Sequence, residues 1–279
     1  GFDTYIDQGI FVNRVIVDPN NADIAYAGTS RNILKTTDGG TSWQAVLDGE
    51  YFKDLEFHPK NSNIIYASSF ELAGKAKIFK SDDAGATWYE TKSFDTINRV
   101  QLSLSSSPDR VYALLSDYRR NKFAGILVSD DAGDSWREYV RSDTLYDAVA
   151  GQGFYNLVLI EDKSNPKKLM YGGVELGSLE IGADSTNWIN PYIHVDFHDL
   201  KYSPHDGRLY LANDGGVFRQ SDTSEAAWEN LSSNLGITQF YKVSPNPLNQ
   251  DILYAGAQDN NMFRYYYGDW QLIAEGDGM

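Results

Sequence analysis

The sequence contains no cysteine, which excludes disulfide bridges and thiolate metal sites. That absence leaves the redox compartment open, because an exported bacterial protein can do without disulfides. Basic residues are outnumbered: 24 Lys and Arg stand against 39 Asp and Glu, a formal net charge of -15 at pH 7. A surface of that sign repels nucleic-acid phosphates and anionic membrane faces, so nucleic acid is not expected as a partner. No apolar run approaches the roughly 20 residues of a membrane-spanning helix, so no membrane insertion is expected. No segment sustains a helical period either. No signal peptide is visible, and the opening Gly1-Phe2-Asp3 reads as a mature or trimmed form.

What is abundant is aromatic: 19 Tyr, 13 Phe and 6 Trp in 279 residues, a load that suits strands. One motif returns six times, a short apolar strand, a polar Asn/Asp/Pro turn, then a strand bearing a tyrosine. Those tyrosines are Tyr26, Tyr66, Tyr112, Tyr171, Tyr210 and Tyr254, and they recur at intervals of about 40–60 residues, close to a four-stranded propeller blade. In the first repeat the alternation predicts strands a to d at 12–17, 24–28, 33–36 and 43–46. The expected fold is all-β, a β-propeller of about six antiparallel four-stranded blades. No Pro/Gly/Ser linker interrupts the repeat, so residues 1–279 read as a single domain.

Three repeats carry an eight-residue signature between strands c and d: Thr36-Thr37-Asp38-Gly39-Gly40-Thr41-Ser42-Trp43, Ser81-Asp82-Asp83-Ala84-Gly85-Ala86-Thr87-Trp88 and Ser129-Asp130-Asp131-Ala132-Gly133-Asp134-Ser135-Trp136. This is the Asp-box pattern. The carboxylate can accept turn N–H groups, glycine supplies a left-handed backbone angle, and tryptophan packs inward. A fourth copy, from Ser221 to Trp228, has lost the Asp and the Gly. Because Asp38, Asp83 and Asp131 recur regularly, they read as structural turn residues and not as catalytic acids or calcium ligands. Trp43, Trp88 and Trp136 are expected to be substantially buried.

Further segments follow in a distinctive order: Gly151-Gln152-Gly153-Phe154-Tyr155-Asn156-Leu157, His194-Val195-Asp196-Phe197-His198-Asp199-Leu200, Ala212-Asn213-Asp214-Gly215-Gly216, Ile237-Thr238-Gln239-Phe240-Tyr241, Gly256-Ala257-Gln258-Asp259-Asn260-Asn261 and Gly276-Asp277-Gly278-Met279. With the Asp boxes, they resemble the exported BNR/Asp-box repeat proteins of bacteria, Bacteroidetes especially, that are similar to the sortilin/Vps10 propeller. The resemblance implies a propeller fold and a secreted or cell-surface setting. In such relatives Gly-Asp-Gly leads into another blade, which implies a piece of a longer propeller protein. Relatives are often labelled glycosyl hydrolase-like, but the resemblance carries over no catalytic residues. Sialidases share Asp boxes but need an Arg-Ile-Pro start, which this sequence lacks; tandem-propeller xyloglucanases need two propellers.

Propeller topology puts b–c and d–a loops on the rim opposite the Asp boxes, around the channel mouth. Gln152, Asn213, Asp214, Gln258, Asp259, Asn260 and Asp277 are expected on that rim. Aligning the a strands on their apolar residues places Asn13, Lys53, Asn98, Asn156, His198 and Gln239 at one equivalent position, a polar ring. His194-x-Asp196-x-His198 is expected to put three side chains on one face of a strand. Those three could hold a metal, form an acid/base pair or plug the space between blades. Two carboxylates among Asp196, Asp214, Asp259 and Asp277 could act as a glycosidase pair; otherwise they cap turns. No cofactor is expected. Two functions stay open: a module binding a glycan or protein partner through the rim, and a glycoside hydrolase or lyase using the same carboxylates and histidines.

Overall fold

The computed structural model describes residues 9–141, 146–180, 186–189, 193–221, 227–232, 235–236 and 238–278. Every helix or strand among them is a strand, and the strands form six four-stranded sheets, each antiparallel between neighbours and in chain order. Six copies of one meander give the chain the β-propeller fold class. The sequence divides into two compact units, 1–189 and 190–279, and each is described by itself.

The first unit holds four sheets. They are β1 (Val12–Val17), β2 (Ala25–Thr29), β3 (Asn32–Thr36) and β4 (Gln44–Asp48); β5 (Tyr51–Phe57), β6 (Ile65–Phe70), β7 (Lys77–Ser81) and β8 (Tyr89–Ser93); β9 (Ile97–Leu104), β10 (Val111–Asp117), β11 (Phe123–Ser129) and β12 (Arg137–Arg141); and β13 (Val158–Glu161), β14 (Lys168–Gly172), β15 (Leu176–Glu180) and β16 (Thr186–Ile189). The second unit holds β17 (Phe197–Tyr202), β18 (Leu209–Asn213), β19 (Gly216–Gln220) and β20 (Trp228–Asn230), then β21 (Phe240–Asn246), β22 (Asn249–Ala257), β23 (Met262–Tyr266) and β24 (Asp269–Ala274).

Strand b of the first three sheets reads as a continuous buried run and not as an alternation, because each sheet has a neighbour on its face. All five residues of β2 are buried, as are five of six in β6. The core therefore lies between sheets. Tyr26 and Ile33 of the first meet Phe52, Leu55, Ile65 and Phe79 of the second. Tyr66 and Ile78 meet Ile97, Val100, Leu102 and Val111 of the third. Tyr112, Leu114 and Ile126 meet Leu157, Leu159, Leu169 and Tyr171 of the fourth.

The strand a positions that look back toward a preceding sheet show the same logic. Leu55 and Val100 are fully buried. Their counterpart in β1, Val15, is 49% exposed, and Val17 is 53% exposed.

A bulge recurs near the start of strand a in five sheets. Register shifts fall between Val12 and Arg14, Phe52 and Asp54, Ile97 and Arg99, Phe197 and Asp199, and Phe240 and Lys242. The extra residue in each is left out of the ladder, so its side chain is re-aimed. The bulged residues are Asn13, Lys53, Asn98, His198 and Tyr241. The equivalence expected from sequence holds for four of them; in the last sheet the position belongs to Tyr241, two residues beyond Gln239. Asn156 precedes β13, whose pairing runs unbulged from Val158.

The three c–d turns behave alike. In the first, Asp38 Oδ1 accepts from the Ser42 amide at 2.9 Å and the Thr36 hydroxyl at 2.8 Å, while Oδ2 accepts from the Ser42 hydroxyl at 2.6 Å. Asp83 does the same with Thr87 and Ser81, and Asp131 with Ser135 and Ser129. Trp43, Trp88 and Trp136 are each partly buried, in keeping with the inward packing expected of them, and Trp88 and Trp136 pack against the cores between sheets. Residues 222–226, the middle of the fourth copy of the signature from Ser221 to Trp228, lie outside the described residues.

Candidate functional site

The second unit collects the candidate residues of the fifth and sixth sheets. Asn213 ends β18, Asp214 and Gly215 form the b–c turn, and Gln258, Asp259 and Asn260 form the corresponding turn after β22. His198 is the bulged residue of β17, so it leaves the ladder and reaches that turn. Its Nε2 lies 2.6 Å from Asp214 Oδ1, with the two side chains 31% and 23% exposed. Asn260 Nδ2 donates to the Asp214 carbonyl at 3.0 Å, tying the two b–c turns together. The Asp259 amide donates to Asp277 Oδ1 at 3.3 Å.

His194 and Asp196 do not share a strand face with His198. β17 begins only at Phe197, and Asp196 has a left-handed φ of 63° that breaks the alternation. His194 instead spans two sheets: Nδ1 is 3.0 Å from the Val195 carbonyl, and Nε2 meets the Asp259 carbonyl. Both ring nitrogens face acceptors, and only the imidazolium donates from both. Burial disfavours that charged form, yet the two carbonyls and the carboxylates of Asp214 and Asp196 outweigh it, and the His194 pKa is raised above 6.5. Gly215 lets the ring in, because a Cβ there would lie 2.5 Å from His194 Cβ. With its ring so engaged, His194 is not poised as a metal ligand. Among the described residues, no group of three His, Asp or Glu is arranged to hold a metal ion.

Asp259 is pushed upward in pKa, first by burial and then by the carboxylates of Asp214, Asp277 and Asp196. Four acidic side chains thus feel one another, and one of them holds its proton more tightly than an ordinary Asp. Asn213 is buried, donating to the His194 carbonyl and accepting from the Gly215 amide at 3.0 Å, so its amide serves the turn. Gln239 and Gln258 are exposed.

The first unit carries the other rim candidates. Asn13 Nδ2 donates to the Phe52 carbonyl at 2.9 Å, and Tyr51 Oη reaches Asn13 Oδ1 at 3.3 Å. Asn98 and Asn156 are buried, with Asn98 Nδ2 donating to Asn121 Oδ1 at 2.6 Å. These two asparagines are structural in setting. Gln152 lies in a turn between β12 and β13, its carbonyl accepting from the amides of Tyr155 and Asn156. Lys53 is half-buried, and its ammonium lies 5.5 Å from the Tyr51 ring centre and 5.6 Å from that of Phe70.

Sequence reasoning passed over Arg99 and Asp54, buried neighbours of Lys53 on strand a. A charged residue following each bulge (Arg14, Asp54, Arg99, Asp199, Lys242) was the available signal. A groove of about 480 Å³ in the same unit is lined by residues that include Ser30, Arg31, Asn32, Asp48, Glu50 and Tyr51. The basic run 119–122 is a turn organised by Asp117, which accepts the amides of Arg119, Arg120 and Lys122 at 2.8–3.0 Å. Tyr265, Tyr266 and Tyr267 lie where β23 turns into β24, away from the b–c turns.

No protein-family model and no curated protein matches this sequence. Solved structures do. A GH74 xyloglucanase from Xanthomonas campestris is 16% identical with a TM-score of 0.62, over 94% of this chain and 45% of the enzyme. YCF48 bound to D1 peptide is 14% identical with a TM-score of 0.53, over 94% of this chain and 80% of that one. An extracellular domain from B. thetaiotaomicron is 16% identical with a TM-score of 0.55, over 96% of this chain and 35% of that one. The chain spans less than half the length of the xyloglucanase. At these identities the likeness is one of fold.

Proposed function

We propose that this chain is an exported glycan-binding propeller module of the BNR/Asp-box, sortilin-like type, and that residues 1–279 are one propeller domain of a longer protein. The observation that carries the reading is the His198–Asp214 pair at 2.6 Å, partly exposed at the b–c turns near Asp259 and Asp277. Carboxylate and imidazole together offer the acceptors and donors that sugar hydroxyls use. The Asp-box acids, by contrast, are consumed by their own turns. The fold likeness to a xyloglucanase and to an extracellular domain motivates plant-type polysaccharides as first probes and an exported setting. YCF48 with its D1 peptide makes a protein segment the competing ligand for the same rim. Calorimetry against xyloglucan and other neutral oligosaccharides tests the proposal. Binding weakened about tenfold by Asp214→Asn supports it, the loss expected for one charge-assisted hydrogen bond. Absence of binding to every glycan overturns it.

A second reading is favoured by one specific feature, the raised pKa of Asp259 near Asp214. A carboxyl that holds its proton near a second carboxyl is what a glycoside hydrolase needs, one as acid and one as base or nucleophile. Reducing-end release that disappears in Asp259→Asn while binding persists would move the assignment from module to enzyme.

A further inference from the structure

Three enclosed lysines in the first unit have carboxylate or carbonyl partners. Lys77 meets Glu50 at 2.7 Å, Lys80 meets Asp134 at 2.6 Å, and Lys35 donates to the Ala84 carbonyl at 2.7 Å. Lys53 has none, and neither does Lys92, which lies over the Phe94 ring alone at 5.8 Å. The Lys53 ammonium rests on the rings of Tyr51 and Phe70 and, among the described residues, makes no hydrogen bond or ion pair.

The surrounding charges explain why. Arg14 takes Glu56 at 2.8 Å and also faces Asp54 at 3.6 Å. Asp54 is further committed to the Leu102 amide and Gln101 Nε2, both at 2.8 Å. Arg99 is buried behind Lys53, held by the carbonyls of Gly153 and Tyr155, and its Nε has no partner. Both carboxylates are thus already occupied, and Lys53 pairs with neither. The uncovered charge falls on the residue that the β5 bulge lifts out of the ladder. Aromatic faces attract an ammonium but do not neutralise it.

We propose that Lys53, backed by Arg99, is a carboxylate subsite that takes an acidic sugar residue, a hexuronate, within a largely neutral glycan. This rests on the reading that the rim binds sugars and specifies a ligand class for the first unit. Asp48 and Glu50 line the groove to which Tyr51 also contributes, and a single cation on the Tyr51 ring fits one carboxylate set among hydroxyls. It does not fit a polyanion or a strongly acidic peptide, which those two acidic residues and the net charge of -15 repel. Tyr51 joins the two features, lining the groove while its ring supports the ammonium. The depressed Lys53 pKa, pushed down to about 8 by burial and then by Arg99, agrees with a cation lacking its counter-ion.

The test uses the full chain with lysines labelled by 13C reductive methylation, titrated by NMR with and without sodium glucuronate. Glucuronate is expected to raise the Lys53 midpoint by about one pH unit or more, as a close carboxylate does, while glucose and glucuronate methyl ester leave it unmoved. Lys53→Gln is expected to weaken binding of a glucuronate-bearing oligosaccharide about tenfold and to leave its neutral counterpart unchanged. A Lys53 midpoint indifferent to glucuronate overturns the subsite. So does an acidic peptide that outcompetes the uronate, which would make the occupant a protein. If glucuronate moves Lys53 but no neutral glycan binds anywhere, the subsite stands and the broader neutral-glycan reading falls.

Discussion

The phenol of Tyr26 in β2 donates a 2.6 Å hydrogen bond to the carbonyl of Ala84, in the Asp-box turn of the following sheet. Tyr66 repeats the contact one sheet on, reaching the Ala132 carbonyl at 3.0 Å. In both turns the acceptor residue is left-handed, with φ 55° at Ala84 and 56° at Ala132, which presents its carbonyl to the neighbour. Burial, then Asp18 and Asp83, pushes the Tyr26 phenol up to about 12, so it stays a donor at any ordinary pH. The tyrosine of one repeat and the Asp box of the next are therefore two halves of one joint.

Gly85→Ala and Gly40→Ala are expected to differ sharply. Both glycines have positive φ, but a Cβ on Gly85 would lie 2.8 Å from Tyr26 Cε1, whereas nothing approaches within 3.8 Å at Gly40. The backbone penalty alone is about 1–2 kcal/mol, and overpacking adds about 1–3 kcal/mol at Gly85 only. Urea denaturation of the two variants checks this; equal losses would refute the joint.

Tyr66→Phe is expected to destabilise more than Tyr26→Phe. The Ala84 carbonyl keeps the Lys35 ammonium at 2.7 Å when Tyr26 loses its hydroxyl. No other partner is present for the Ala132 carbonyl among the described residues. The expected losses are about 1–3 kcal/mol for Tyr66→Phe and about 0.5–1.5 kcal/mol for Tyr26→Phe. Denaturant midpoints measured side by side would show the order.

The Asp-box acids set an acid limit. Asp38, Asp83 and Asp131 are held down to about 2, chiefly by the hydroxyls and amides of Ser42, Thr87 and Ser135. Their folded pKa is below the ordinary value of 3.8, so their contribution is present above that value and lost as pH falls toward 2. Stability measured from pH 5 to pH 2 should fall, and the slope should flatten in Asp83→Asn. An unchanged slope would remove these turns from the acid response.

His194 sets the opposite limit. Its folded pKa is raised above 6.5, so its contribution is complete below 6.5 and lost as pH rises through the folded value. Imidazole titration by NMR should show one histidine midpoint above the ordinary value that vanishes in His194→Gln. Weakened thermal stability of the second unit at alkaline pH should vanish with it.

Much of the fold was legible because blades repeat. Strand a of the first sheet runs over Val12–Val17 as the alternation predicts, and Tyr26, Tyr66 and Tyr112 occupy the strand next to it. What was not legible depends on geometry across the chain. The partner of Tyr26 lies 58 residues away in a turn that, read alone, explains its own glycine. The histidines were read as one strand face because nothing in His194-Val195-Asp196-Phe197-His198 announces that the strand waits until Phe197. Gln239 stood in for Tyr241 because a bulge adds a residue that apolar alignment cannot see. The sign of Lys53 was plain, but its lack of a counter-ion follows only from Arg14 claiming Glu56.

The tyrosine joints also impose a direction on the growing chain. Tyr26 and Tyr66 find their acceptors 58 and 66 residues further along. A sheet emerging during synthesis therefore carries an unmade bond until the next c–d turn has been added. Closure should pass from sheet to sheet in the order of translation, with protease resistance of arrested chains rising in steps as the turns at Ala84 and Ala132 emerge. The reach is long enough to make such assembly slower than local hairpin formation. It also makes each of the first two repeats a proofreader of its successor, since a sheet without its glycine and left-handed acceptor would leave the preceding tyrosine without a seat.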